Sequence, residues 1–150
     1  MDTADKKILR ILQQNSKFNT KEIADKIGLS VSPTYERIKK LEQKGLIKKY
    51  VAILDGTKIG KNITVYSQIS LSGHSRELID KFKNEISHLD EIMGCSHVSG
   101  NYDFLLKVAV SDMNEYQSFV INKLSTIEGI SNVQSSFVME ELKNETEFSL

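Results

Sequence analysis

With 150 residues, the chain can form one or two small domains, each able to bury a core. Its 20 basic and 20 acidic side chains balance only in total: residues 1–61 carry 14 Lys/Arg and 7 Asp/Glu, whereas residues 62–150 carry 6 and 13, the pattern of a polyanion-binding module fused to a part that does not touch the polyanion. No apolar run approaches the ~20 residues of a membrane span, the charged N-terminus lacks signal-peptide character, and the lone Cys95 excludes an internal disulfide, so a soluble cytoplasmic protein is expected.

Ile8, Ile11 and Leu12 recur at helical spacing within Asp5–Gln14, with Asp2 or Thr3 as a cap and Asn15-Ser16-Lys17 as the break. A short second helix is marked by Asn19 and Glu22 in capping-box spacing and by Phe18, placed to staple onto Ile23. It ends near Ile27, where Gly28 supplies a turn, and the small Ala24 lets a crossing helix approach closely.

The third helix is the centre of this half. Ser32 is its expected N-cap, Pro33 its first helical residue and Gly45 its stop. At about 100° per residue, Thr34, Ile38 and Leu41 form a thin apolar seam. Ser32, Glu36, Lys39, Lys40 and Gln43 fall opposite, with Tyr35 and Arg37 on the flanks. A solvated helix without function fits that pattern alone. A short capped helix and a Gly-centred turn before it, in a basic module, predict a helix-turn-helix with Ser32–Lys44 as the recognition helix.

Double-stranded DNA is the expected partner. Lys39, Lys40, Lys48 and Lys49 suit phosphate, and Ser32, Tyr35 and Glu36 suit base edges. Arg37 would brace the helix or hold phosphate, and Ser30 and Thr34 complete the candidate set. Leu46–Leu54 reads as a short strand, and Lys58–Asn62 as a linker, placing the domain boundary between residues 61 and 62.

From Ile63 the period changes to two, predicting a strand that Gly73 ends. A helix follows with Leu78, Ile79, Phe82 and Ile86 inward, then strands over Ile92–Val98 and Tyr102–Val110. Asp112 and Glu115 form another capping-box pattern, opening a helix that buries Tyr116, Phe119, Val120, Leu124 and Ile127. Gly129 closes it, and Ile130–Met139 is the last strand. The order β-α-β-β-α-β predicts a ferredoxin-like sandwich, α+β overall, with helices on one sheet face. On the other face, Tyr66, Leu105, Ala109 and Val138 are too apolar for free surface, so sheets are expected to pair between subunits in a dimer or larger assembly.

Ser99-Gly100-Asn101-Tyr102-Asp103 joins two strands and offers a hydroxyl, an open backbone, an amide, a phenol and a carboxylate. Such a loop could hold the ammonium and carboxylate of an amino acid. A tight turn, with Gly and Asn at positive φ and Asp bonding local N–H groups, explains the same residues. Cys95, His97 and His88 lack tight metal-ligand spacing, and no basic cluster activates the thiol. No catalytic constellation, phosphate loop or cofactor motif is visible, and the acidic Glu140–Glu145 stretch reads as a solvated tail.

Four stretches then stand out together: Asp5-Lys6-Lys7-Ile8-Leu9, Ile23–Ser30, Glu36–Ile47, and Gly100-Asn101-Tyr102-Asp103-Phe104-Leu105-Leu106. In that order, nearly end to end, they resemble the Lrp/AsnC family of bacterial and archaeal transcription regulators, the feast/famine regulatory proteins. The resemblance implies a winged-helix-like DNA-binding domain, a hinge strand and a ferredoxin-like effector domain. It also implies dimers that often assemble into octamers. An amino acid or related effector would bind between dimers, near Gly100–Asp103 and the strand around Ser135 and Ser136. Glu36 departs from the pattern by placing an acid on the DNA face, where it would accept from a cytosine amino group or pair with Lys40. The alternatives are an effector-independent architectural DNA binder and a ferredoxin-like enzyme.

Overall fold

A computed structural model describes residues 1–150. The chain forms two compact units, Met1–Ile53 with Leu142–Leu150, and Leu54–Glu141.

The first unit is built on three helices, α1 (Thr3–Gln14), α2 (Thr20–Ile27) and α3 (Val31–Gln43). Both expected caps at its start form as reciprocal boxes. Asp5 N–H donates to Asp2 Oδ1 (2.9 Å) and Asp2 N–H to Asp5 Oδ2 (3.1 Å). Glu22 N–H donates to Asn19 Oδ1 (3.0 Å) and Asn19 N–H to Glu22 Oε2 (2.7 Å). Each box satisfies two of the N–H groups that a helix start leaves open. Ile8, Leu9, Ile23 and Leu41 form the core, rimmed by Ile11, Leu12, Phe18, Ile27, Ile38, Ile47 and Leu150. Ala24 is fully buried.

Helix α3 begins one residue before its expected cap. Ser30 is the N-cap and Ser32 lies within the first turn. Pro33 is then the third helical residue, still ahead of the first i→i−4 donor, Thr34, whose N–H reaches Ser30 O at 3.3 Å. Its missing N–H therefore costs no helical bond. At the other end Leu46 N–H returns to Leu41 O (3.0 Å) across Gly45.

The expected strand over Leu46–Leu54 does not form. A strand needs a neighbour to accept its backbone groups, and none lies beside this segment. Tyr50, Val51, Ile53 and Leu54 are exposed there, and only the Tyr50 hydroxyl is anchored, donating to Glu42 Oε1 at 2.9 Å. Glu140–Glu145 is exposed, and beyond it the chain returns to the helices. Phe148 N–H donates to Gln13 Oε1 (2.7 Å), Gln13 Nε2 donates back to Phe148 O (3.1 Å), and Leu150 rests on the helical core.

In the second unit β1 (Ile63–Leu71), α4 (Arg76–Ile86), β2 (Ile92–His97), β3 (Phe104–Val110), α5 (Met113–Asn122) and β4 (Ile130–Phe137) follow the predicted order. The strands form one antiparallel sheet ordered β2-β3-β1-β4, the ferredoxin-like arrangement. Alternation places Val65, Ser67, Ile69 and Leu71 of β1 inward, against a core containing Phe82, Phe104, Leu106, Phe119 and Leu124. Leu124 lies beyond α5 in a short 3-10 turn, Leu124–Thr126. Asp112 caps α5 by accepting from Glu115 N–H (2.9 Å). The return bond goes elsewhere: Glu115 accepts from Ser111 N–H (2.5 Å) and Lys61 Nζ (3.0 Å), which pull its carboxyl down to about 2.

Candidate nucleic-acid interface and ligand loop

The outer face of α3 offers the exposed side chains of Ser32, Tyr35, Glu36, Lys39 and Lys40, and Ser30 is exposed just before it. Lys48 and Lys49 are exposed in the following segment. The Lys39 ammonium lies 5.1 Å from the centre of the Tyr35 ring, a cation–π distance that fixes the ring against the helix. Glu36 makes no ion pair with Lys40, so its carboxylate faces outward.

Two residues of the expected DNA set leave that face. Thr34 is fully buried, and its hydroxyl donates to Ser30 O at 2.9 Å. It belongs to the seam, and no DNA can reach it. Arg37 turns toward α1, where Nη1 lies 2.7 Å from both Asp2 Oδ2 and Asp5 Oδ1. These carboxylates raise the guanidinium pKa, the hydrogen bond that Arg37 donates to Asp5 contributing most. Arg37 therefore braces α3 against α1.

In the second unit the segment Ser99–Asp103 joins β2 to β3, with only Gly100 at positive φ. Asn101 does not adopt the left-handed conformation. Asp103 N–H donates to Ile69 O (2.8 Å) and Val98 N–H to Asp103 O (2.9 Å). The Asp103 carboxylate accepts from Leu71 N–H (2.7 Å) and is 2.8 Å from His74 Nε2. The Leu71 N–H, followed by His74, holds the carboxyl below its usual range. Asp103 thus clamps the loop to the end of β1, leaving Ser99, Gly100 and Asn101 as its exposed part.

Ser135 and Ser136 do not join this loop within the chain. They pair with Ser67 and Tyr66, whereas Ile130–Val133 flank the end of β1 that Asp103 clamps. Ser135 faces inward, where Tyr116 Oη lies 2.5 Å from its Oγ and 2.9 Å from the fully buried Ser67 Oγ. Ser136 is on the opposite sheet face, since neighbouring strand residues alternate sides.

Cys95 and His97 line one shallow cavity of about 380 Å³ with Lys83 and Met93. Burial pushes the thiol pKa up, His97 stacks on Phe104 at 4.6 Å, and His88 Nδ1 is directed to Asn84 O at 2.8 Å. Sequence spacing did not reveal Asp2, Asp5, His74 or Tyr116 as supports of these sites, because each acts on a residue distant in the chain.

A helix-turn-helix with an exposed polar helix, followed by a ferredoxin-like unit with a clamped polar loop, defines a two-module DNA-binding regulator. Family models agree: winged helix-turn-helix DNA-binding matches residues 1–48, and the Lrp/AsnC ligand binding domain matches residues 64–148. The chain belongs to the Lrp/AsnC family of DNA-binding transcriptional regulators. It is 34% identical to the DNA-binding transcriptional activator DecR of Escherichia coli (strain K12), over 97% of this chain and 96% of that protein. It is 37% identical to the transcriptional regulator AzlB of Bacillus subtilis (strain 168), over 93% and 88%. A Neisseria meningitidis transcriptional regulator, solved as its L-Met complex, superposes with TM-score 0.95 at 30% identity, covering 99% of this chain and 96% of that one.

Proposed function

We propose that this regulator reads operator DNA through residues 1–61 and is controlled by an amino acid or related small molecule bound to residues 62–150. Ser30, Ser32, Tyr35 and Glu36 meet base edges, and Lys39, Lys40, Lys48 and Lys49 neutralise phosphates. The effector lies against the exposed backbone and side chains of Ser99–Asn101 and the half-buried Tyr102. The working form is a homodimer, assembling to an octamer, in which the sheet face of Tyr66, Leu105, Ala109 and Val138 is covered by a second subunit. It acts in the cytoplasm as a regulator, not as an enzyme, and needs no cofactor.

The observation that carries this reading is the outer face of α3, where lysines, hydroxyls and one aromatic ring are exposed while the seam is buried and Arg37 is turned to α1. The L-Met complex of the Neisseria relative supports the effector class. The ligand acts only through its different affinities for two assembly states. Selection of duplexes from a random pool tests DNA reading, and sedimentation of the protein with each of the common amino acids tests control. An unselective pool refutes the first assignment. Unchanged sedimentation and DNA affinity with every amino acid leave an effector-independent, architectural DNA binder.

A further inference from the structure

Val31 is the first residue of α3, and its side chain is 46% exposed. A β-branched apolar residue gains nothing from water, and Val31 is absent from the cluster that forms the core of its unit. Leu29, two residues earlier, is also exposed. Apolar side chains are therefore gathered at one end of the helix, the N-terminal end, which enters the major groove in helix-turn-helix proteins.

The neighbours of Val31 make this more than scattered exposure. Val31, Tyr35 and Lys39 are successive i, i+4 positions and form one column along the helix. Lys39 lies over the Tyr35 ring, giving a fixed aromatic wall one turn from the valine. Ser32 and Glu36 run beside this column and are also exposed. With Thr34 buried and Arg37 tied to Asp2 and Asp5, Val31 fills the apolar corner of an otherwise polar reading surface.

The only apolar feature on the major-groove edge of a base pair is the C5-methyl of thymine. We infer that Val31, backed by the Tyr35 ring, recognises a thymine methyl and so sets sequence preference at one position of each half-site. This rests on the assignment of α3 as the reading helix and goes beyond it, because it names an apolar contact and the chemical group it meets. Nothing polar is required of Val31, so its effect is independent of salt.

The test removes the methyl from the DNA and the side chain from the protein. The full-length chain is used to select duplexes from a random pool, and each selected thymine is then replaced singly by deoxyuridine. At one thymine per half-site the parent loses about fourfold in affinity, the worth of one buried methyl. Val31→Ala binds the thymine duplex correspondingly less well and loses nothing further with deoxyuridine there. Val31→Ser, which carries no methyl group, serves as a second variant if the alanine protein folds poorly. Selected sites whose affinity is indifferent to every deoxyuridine, or full methyl sensitivity retained in both variants, overturn the Val31 contact while leaving α3 as the reading helix. A pool that yields no preferred sequence overturns both.

Discussion

Arg37 and Asp5 lie on different helices, and Nη1 of one is 2.7 Å from Oδ1 of the other. The second oxygen of Asp5 closes the capping box at the start of α1 by accepting from Asp2 N–H. One carboxylate therefore sets both where α1 begins and how α3 is held. Charge-assisted bonds of this geometry fix orientation, which matters more for a reading helix than their modest worth at a half-exposed surface.

The brace and the phosphate ligands should separate in a salt titration. Lys40→Ala should reduce the slope of log affinity against log salt by about 1, the contribution of one neutralised phosphate. Arg37→Ala should lower the melting temperature and the affinity yet leave that slope unchanged, because its charge is already spent on Asp2 and Asp5. A slope reduced equally in both variants would return Arg37 to the DNA.

Two glycines at positive φ should respond differently to alanine. Gly28 (φ 74°) and Gly129 (φ 90°) both hold a conformation that costs an L-residue roughly 1–2 kcal/mol. A Cβ at Gly28 would meet nothing within 4 Å, whereas one at Gly129 would collide with the Leu78 side chain. Gly129→Ala should therefore lose a further ~1–3 kcal/mol from overpacking. Denaturant titrations of the two variants give the comparison, and equal losses would place the cost in the backbone alone.

The clamp on the ligand loop should be sensitive to acid. The folded-state pKa of Asp103 is depressed, chiefly by the Leu71 N–H, so its contribution is present above the unfolded carboxylate value, roughly 4. It is lost as pH falls below that value through the lower folded one. Glu115, held at about 2, acts in the same sense. Comparison of the parent with Asp103→Asn isolates the clamp: stability of the variant should fall less steeply as pH drops below the unfolded carboxylate value of roughly 4. Parallel curves would show that the Asp103 charge contributes nothing.

Deleting Leu142–Leu150 should loosen the DNA-binding unit and spare the other. Gln13 loses both of its bonds to Phe148, and the helical core loses the cover of Leu150. Amide hydrogen exchange should rise in α1 with a cost of about 1 kcal/mol for the uncovered apolar surface. Protection of β1–β4 should remain at the parent level. Unchanged exchange in α1 would mean that the tail only rests on the surface.

What the sequence made legible was local. The cap at Asp2, the capping box at Asn19 and the alternation Val65-Ser67-Ile69 on β1 need only residues a few places apart. The start of α3 was placed late because Ser30 and Ser32 are equally good caps by type. The bond from Thr34 to the Ser30 carbonyl settles it only in three dimensions. Leu46–Leu54 has the composition of a strand, yet composition supplies no pairing partner. The supports of both sites were invisible for a related reason. Asp5–Arg37, His74–Asp103 and Ser67–Tyr116 bridge separations of 32, 29 and 49 residues, across which no spacing rule operates.

The inclusion of Leu142–Leu150 in the DNA-binding unit makes the order of synthesis run against the order of assembly. Residues 1–53 leave the ribosome before Leu54–Glu141, and Leu150, which packs against their core, follows both. All of Leu54–Glu141 emerges in between and can pair its four strands first. A nascent chain thus finishes its ligand-binding half before its DNA-reading half is closed. A chain cut short after Glu141 would still carry the whole of that second unit, joined to three helices whose core lacks the cover of Leu150.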